Sequence, residues 1–152
     1  MKKRFLAFLM VTFLLCGCSS YERDESAGEV IQISLADMES MMKKGQEFTI
    51  AFTQSMCGYC EDFHELFENY RQNHHVVLYE VPLEREKEQP NVNRAIIQQY
   101  FPEFDKTPGI FYADGGKCID SIHQSQRMTE ELFDNWVKKH KLDKKVNEKE
   151  AI

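Results

Sequence analysis

The stretch TQSMCGYCEDF, residues 53–63, sets Cys57 and Cys60 on either side of Gly58 and Tyr59, directly after the apolar run FTIAF. EFTIAFT is rich in β-branched and aromatic residues and fits a buried central strand. From Tyr59 onward, Phe63, Leu66, Phe67 and Tyr70 recur at helical spacing, which predicts a helix running to about Asn73. The second cysteine therefore falls in the first turn of a helix that follows a buried strand. Two intervening residues at a helix start let both sulfurs reach disulfide distance, with the first at the exposed end and the second one turn inward. The partial positive charge and unpaired N–H groups of a helix N-terminus stabilise a thiolate there, so Cys57 is the expected nucleophile and Cys60 the thiol that closes the internal ring.

Two other readings of the pair stay open. A zinc site needs four soft or nitrogen ligands, commonly two such pairs, whereas this chain has one pair, an isolated Cys118 and scattered histidines. Two inert buried thiols are the bland reading, but the start of a helix after a buried strand is a poor place for them. No metal and no cofactor are expected.

Outward from this centre the periodicity alternates. EVIQI reads as a short strand, and Ser34 caps a helix over LADMESMMKK that stops at Gly45. HVVLYEVPL is a strand, REKEQPNVN a polar connection and NRAIIQQYF a helix before Pro102. GIFYA and CIDSIH flank DGG, whose glycines suit the left-handed conformations of a tight hairpin. Thr129 opens a last helix whose apolar face holds Leu132, Phe133, Trp136 and Val137. The order β-α-β-α-β-α-β-β-α predicts an α/β fold, a single domain with a mixed sheet covered on both faces. A Thr-Pro pair, Thr107–Pro108, stands before the hairpin, where this topology places a loop facing the active-site helix. Proline is the residue for which a cis bond costs little, and a cis bond would expose the Thr107 backbone beside Cys57 to an extended substrate. A trans proline at the start of the strand is the alternative.

The N-terminus, MKKRFLAFLMVTFLLCGC, has the charged start, short apolar core and small-residue end of an export signal. The run from Phe5 to Leu15 is shorter than the about 20 residues needed to span a bilayer. Leu15 to Cys18 resembles a bacterial lipoprotein box. Cys18, preceded by the small Gly17, is the expected acylated residue, and an ordinary signal cut nearby is the alternative. The expected organisation is a signal peptide over 1–17, a flexible tether over 18–28, one domain over 29–142 and a charged tail over 143–152. Cleavage removes three basic residues, so the net charge of −6 becomes more negative still. Such a surface disfavours nucleic acid and anionic lipid, and leaves the anchor to hold the protein at the membrane. With Cys16 lost and Cys18 lipid-linked, Cys57, Cys60 and Cys118 remain, too few for a disulfide scaffold.

The layout from about residue 29 to 142 resembles the thioredoxin superfamily. FTIAFTQSMCGYCEDFHELF with KTPGIFYADGG is similar to the catalytic domain of exported disulfide isomerases and to bacteriocin transport accessory proteins. That resemblance implies Cys57 as nucleophile, Cys60 as resolving thiol and Thr107 with Pro108 as the substrate-facing loop. Its partners would be a secreted cysteine-containing peptide or protein and a redox partner protein, and the chain is expected to act as a monomer. Thioredoxin reductants carry a buried Asp six residues before the first cysteine, where this chain has Ala51. It also lacks the Trp-Cys-Gly-Pro-Cys sequence of general reductants and the dimerisation domain of the isomerases. An extracytoplasmic, lipid-anchored oxidase or substrate-specific helper is the expectation. A non-catalytic peptide-binding accessory protein and an extracytoplasmic reductant are the alternatives.

Other residues carry less. Met56 and Tyr59 are expected to be exposed apolar groups that grip a peptide, although either could pack locally. His64, four residues after Cys60, could assist proton transfer, but a solvated helix histidine is the simpler expectation. His74 and His75 make a poor chelate because adjacent strand side chains point opposite ways. Cys118 reads as a small buried filler. Met38, Met41 and Met42 read as helix core and edge.

Overall fold

The computed structural model describes residues 21–122 and 127–146. The lipobox with Cys18, and the expected signal before it, lie outside the described residues. Nine principal elements follow one another in the expected order: β1 (Glu29–Gln32), α1 (Leu35–Lys43), β2 (Phe48–Thr53), α2 (Gly58–Tyr70), β3 (Val77–Pro82), α3 (Pro90–Tyr100), β4 (Gly109–Asp114), β5 (Lys117–Ile122) and α4 (Glu130–His140). The sheet order is β1-β3-β2-β4-β5. β3 is parallel to both β1 and β2, while β4 is antiparallel to β2 and to β5.

β2 is the central strand, and all six of its residues are buried. Phe48, Ile50 and Phe52 face one cluster with Leu35, Met38 and Met42 of α1 and Ile97 of α3, whereas Ala51 faces the other with Phe63 and Phe67 of α2 and Phe133 of α4. This is the period-two alternation of a strand covered on both sides, so neither face of β2 can tolerate an unpaired polar group. Phe52 meets Phe101, Phe104 and Phe111 edge-on at 5.5, 5.2 and 5.9 Å between ring centroids. The resulting rigid strand ends at Thr53, four residues before the first cysteine of the pair.

Gly115 and Gly116 turn the β4–β5 hairpin at φ 56° and 76°, the left-handed region that the DGG sequence predicts. α3 begins three residues earlier than expected, at Pro90. Proline at the first helical position lacks only an N–H that would be unpaired there, so PNVN, read from sequence as connection, is helix.

The folded body is also larger than the expected 29–142. Tyr21–Asp24, assigned from sequence to a flexible tether, lies against residues 143–145, assigned to the tail. Arg23 and Lys144 form an antiparallel bridge, the Asp24 amide donates to the Asp143 carbonyl at 2.7 Å, and the Lys145 amide donates to the Glu22 carbonyl at 3.0 Å. Beneath them Arg23 donates to Asp143 (2.6 Å), Asp134 (2.7 Å) and the Tyr70 hydroxyl (2.7 Å). Tyr21 donates to the other Asp143 oxygen at 2.6 Å. The segment joins the fold because Asp143 and Asp134 need cationic partners and Arg23 supplies one to both. Among the described residues no helix is long and apolar enough to cross a membrane.

Candidate active site

Cys57 is the N-cap of α2, in extended backbone at φ −135° and ψ 103°. Its sulfur occupies the place of the usual serine or aspartate oxygen and accepts the Cys60 amide hydrogen at 3.2 Å. Four amides at the start of any helix lack partners one turn before them, and here the Cys60 amide is shared between the Cys57 sulfur and the Cys57 carbonyl oxygen, the latter at 2.9 Å. A thiolate at Cys57 would gain that hydrogen bond and the field of α2 together. Cys60 is one turn inward and 1% exposed, on the same stripe as Phe63 and Phe67. The two cysteines are joined as a disulfide, with Cα atoms 5.2 Å apart. Cys57 is half-buried at the helix end, whereas Cys60 is enclosed.

The Thr107–Pro108 bond is cis. The Cys57 sulfur lies 3.5 Å from the Thr107 carbonyl oxygen and 3.6 Å from the Thr107 hydroxyl. The same hydroxyl lies 3.4 Å from the Gln54 side-chain oxygen, tying the two loops together. Gly109 then admits close packing, since a Cβ there would stand 2.7 Å from the Phe104 ring. Met56 is 98% exposed and Tyr59 62%, so the apolar groups beside the cysteines face solvent as expected. A groove of about 670 Å³ is lined by Gln54, Glu86, Arg94 and Thr107 among others.

Two residues depart from the sequence reading. His64 is not simply solvated: its Nε2 lies 2.6 Å from Glu80 Oε1. Glu80, on β3, is 5% exposed and aligned with Ala51 of β2 and with Gln32 of β1. It accepts from the Thr53 hydroxyl at 2.7 Å and from the Gln32 amide at 3.0 Å. Burial alone would push the Glu80 carboxyl up, but the hydrogen bonds from Thr53, Gln32 and His64 outweigh it and hold the group below its ordinary value. Position 51 itself carries no carboxylate, but Glu80 stands beside it in register on the adjacent strand. A glutamate within an otherwise apolar buried strand was the signal, since a buried charge requires partners.

The remaining sequence candidates lie apart. Cys118 is half-buried on β5, its sulfur 3.7 Å from the Asp120 carbonyl. Burial, with Glu103 and Asp120 nearby, pushes its thiol up to about 11, so it is a poor nucleophile at neutral pH. His75 Nδ1 lies 2.9 Å from the Ala27 carbonyl while His74 stacks on Tyr70, so the neighbouring imidazoles serve different contacts. Met38 and Met42 are core residues of α1, and Met41 packs at its edge.

No protein-family model and no curated protein matches the chain by sequence. Solved structures do match in shape. Thioredoxin from Malassezia sympodialis aligns with a TM-score of 0.55 at 17% identity, covering 76% of this chain and 93% of that one. Thioredoxin from Schistosoma mansoni aligns with a TM-score of 0.54 at 14% identity, over 75% and 97% of the respective chains. Thioredoxin f2 of Chlamydomonas reinhardtii gives 0.53 at 13% identity, over 76% and 100%. The chain has the thioredoxin-like fold, with Cys57 and Cys60 at the start of α2.

Proposed function

We propose that the protein is a thiol-disulfide oxidoreductase, exported and anchored through a lipid on Cys18, that forms or rearranges disulfides in secreted peptides or proteins such as bacteriocins. The observation that carries the reading is the asymmetry of the pair. Cys57 sits at a helix N-cap with an amide hydrogen on its sulfur, while Cys60 is enclosed one turn below. In the oxidising direction a substrate thiolate attacks Cys57 Sγ, the Cys57–Cys60 bond breaks, and Cys60 leaves as a thiolate. A second substrate thiolate then attacks the mixed disulfide and releases Cys57. The substrate loses two electrons and the pair gains them, and a redox partner protein removes them again. Contacts that favour the Cys57 thiolate stabilise the reduced pair, which makes the disulfide form the stronger oxidant. The exposed Thr107 loop, Met56 and Tyr59 would receive the substrate backbone and its apolar side chains.

Cys60→Ala in cells tests this reading, because without the second thiol a mixed disulfide at Cys57 cannot be closed out. The expected result is covalent capture of exported, disulfide-bearing proteins or peptides, reversible by dithiothreitol. Capture of nothing, with unimpaired biological function in the Cys57→Ser variant, would instead mark the disulfide as a structural clasp in a peptide-binding accessory protein.

A further inference from the structure

Cys60 must lose a proton before its sulfur can attack, and bulk water does not reach it at 1% exposure. We infer that Glu80 and His64 together are the proton acceptor for Cys60, a role built on β3 and α2 rather than on β2. The inference rests on the oxidoreductase reading above and assigns the proton that the reading leaves unplaced.

Ala51 and Glu80 are one feature. They are register partners on adjacent strands, and the methyl of Ala51 leaves room for the Glu80 carboxylate to lean toward β2, where the Thr53 hydroxyl holds Oε1. His64 Nε2 meets the same oxygen. An ionised carboxylate only accepts hydrogen bonds, so Nε2 donates and Nδ1 is left as the ring's acceptor. His64 is four residues after Cys60, so both lie on one face of α2, and helical side chains lean toward the N-terminus. The imidazole therefore leans over the turn that carries Cys60. Other charged groups facing this corner are Glu68 and Arg71 of α2, which pair with each other at 2.6 Å, Glu29 of β1, and Arg85 after β3, which donates to Gln32. Cys60, four residues before His64, is a buried residue of the same helix.

When the pair closes on a mixed disulfide, the Cys60 proton passes to His64 Nδ1 and the imidazolium is balanced by Glu80. The Cys60 thiolate then attacks Cys57 Sγ, the bond between Cys57 and the substrate sulfur breaks, and the electron pair leaves with that sulfur, which takes a proton from solvent. The pair is oxidised and the substrate disulfide is reduced. In the opposite direction Cys60 leaves as a thiolate and then takes the proton back from His64.

A chromogenic aromatic disulfide separates the two sulfurs. Mixed with the reduced full-length protein, it releases one coloured thiolate when Cys57 attacks and a second when Cys60 resolves. Glu80→Gln and His64→Gln are expected to leave the first release within about twofold of wild type. The second should slow by about 10–100-fold at pH 7, recovering as the pH rises past the ordinary thiol value of about 8.5. A wild-type second release in either variant overturns the assignment. His64 is half-exposed and decides alone if Glu80→Gln fails to fold. Absence of any second release from wild type would instead defeat the oxidoreductase reading itself.

Discussion

Cys57→Ser is expected to lower thiol-disulfide exchange by at least about 10³-fold, because a serine hydroxyl is not ionised at neutral pH even beside an amide donor. The same variant should fold, since Cys57 is only partly buried and serine is a favoured N-cap residue that can accept the Cys60 amide hydrogen in its place. Cys60→Ser should behave differently. It retains attack by Cys57 but cannot close the ring, so a disulfide-bonded substrate is bound once and held. The contrast between a silent and a stalled variant distinguishes the two sulfurs, and an insulin-reduction or peptide-oxidation assay with mass analysis of adducts reads it directly. Equal loss in both variants without adducts would remove the division of labour between them.

Arg23→Ala is expected to destabilise the domain by about 3 kcal/mol, because it leaves the buried Asp143 and the adjacent Asp134 short of their shared cation. For a domain of this size that corresponds to a Tm lower by roughly 10 °C. A pH series supplies a second readout. Burial would raise the Asp134 carboxyl, but hydrogen bonds from Lys138, Arg23 and Tyr70 outweigh it and hold the group at about 2. A carboxyl depressed in the folded state contributes stability above its unfolded value of about 3.9 and loses it as the pH falls through the folded value. Wild type should therefore weaken between about pH 4 and pH 2, and Arg23→Ala should show less of that loss because part of the benefit is already gone. Calorimetric melting across this range measures both effects. A variant with an unchanged Tm would mean that the contact between residues 21–24 and 143–145 adds nothing to stability.

How much was legible follows from the range over which each feature is encoded. β2 and α2 could be read because a continuous β-branched and aromatic run and a helical apolar stripe are local patterns, and the pair between them marks the join. The hairpin was legible because DGG calls for left-handed backbone, which Gly115 and Gly116 adopt. Thr107 beside Cys57 could be anticipated once the strand order was in hand. Glu80 was not legible because its partners, Gln32, Thr53 and His64, come from three other elements, brought to it by register that no local pattern specifies. A helix histidine four residues after Cys60 reads either as a proton-transfer group or, more simply, as solvated, and only the fold shows its ring facing that carboxylate. Arg23 lay in a polar, aperiodic stretch, and its chief partner, Asp143, is 120 positions away in sequence. Both misses are long-range polar contacts, which hydrophobic periodicity does not record.

The proposed function requires Cys57 to be an activated thiolate at the N-terminus of α2. Its most direct measurement is the rate of alkylation of Cys57 in the reduced protein as a function of pH, with adducts located by mass spectrometry. The rate is expected to reach half its plateau clearly below about pH 8.5, the midpoint of an ordinary cysteine thiol. Reaction at neutral pH should accordingly be faster than for a model thiol. A Cys57 that titrates with a midpoint at or above about 8.5, and reacts no faster than the model thiol, would contradict it.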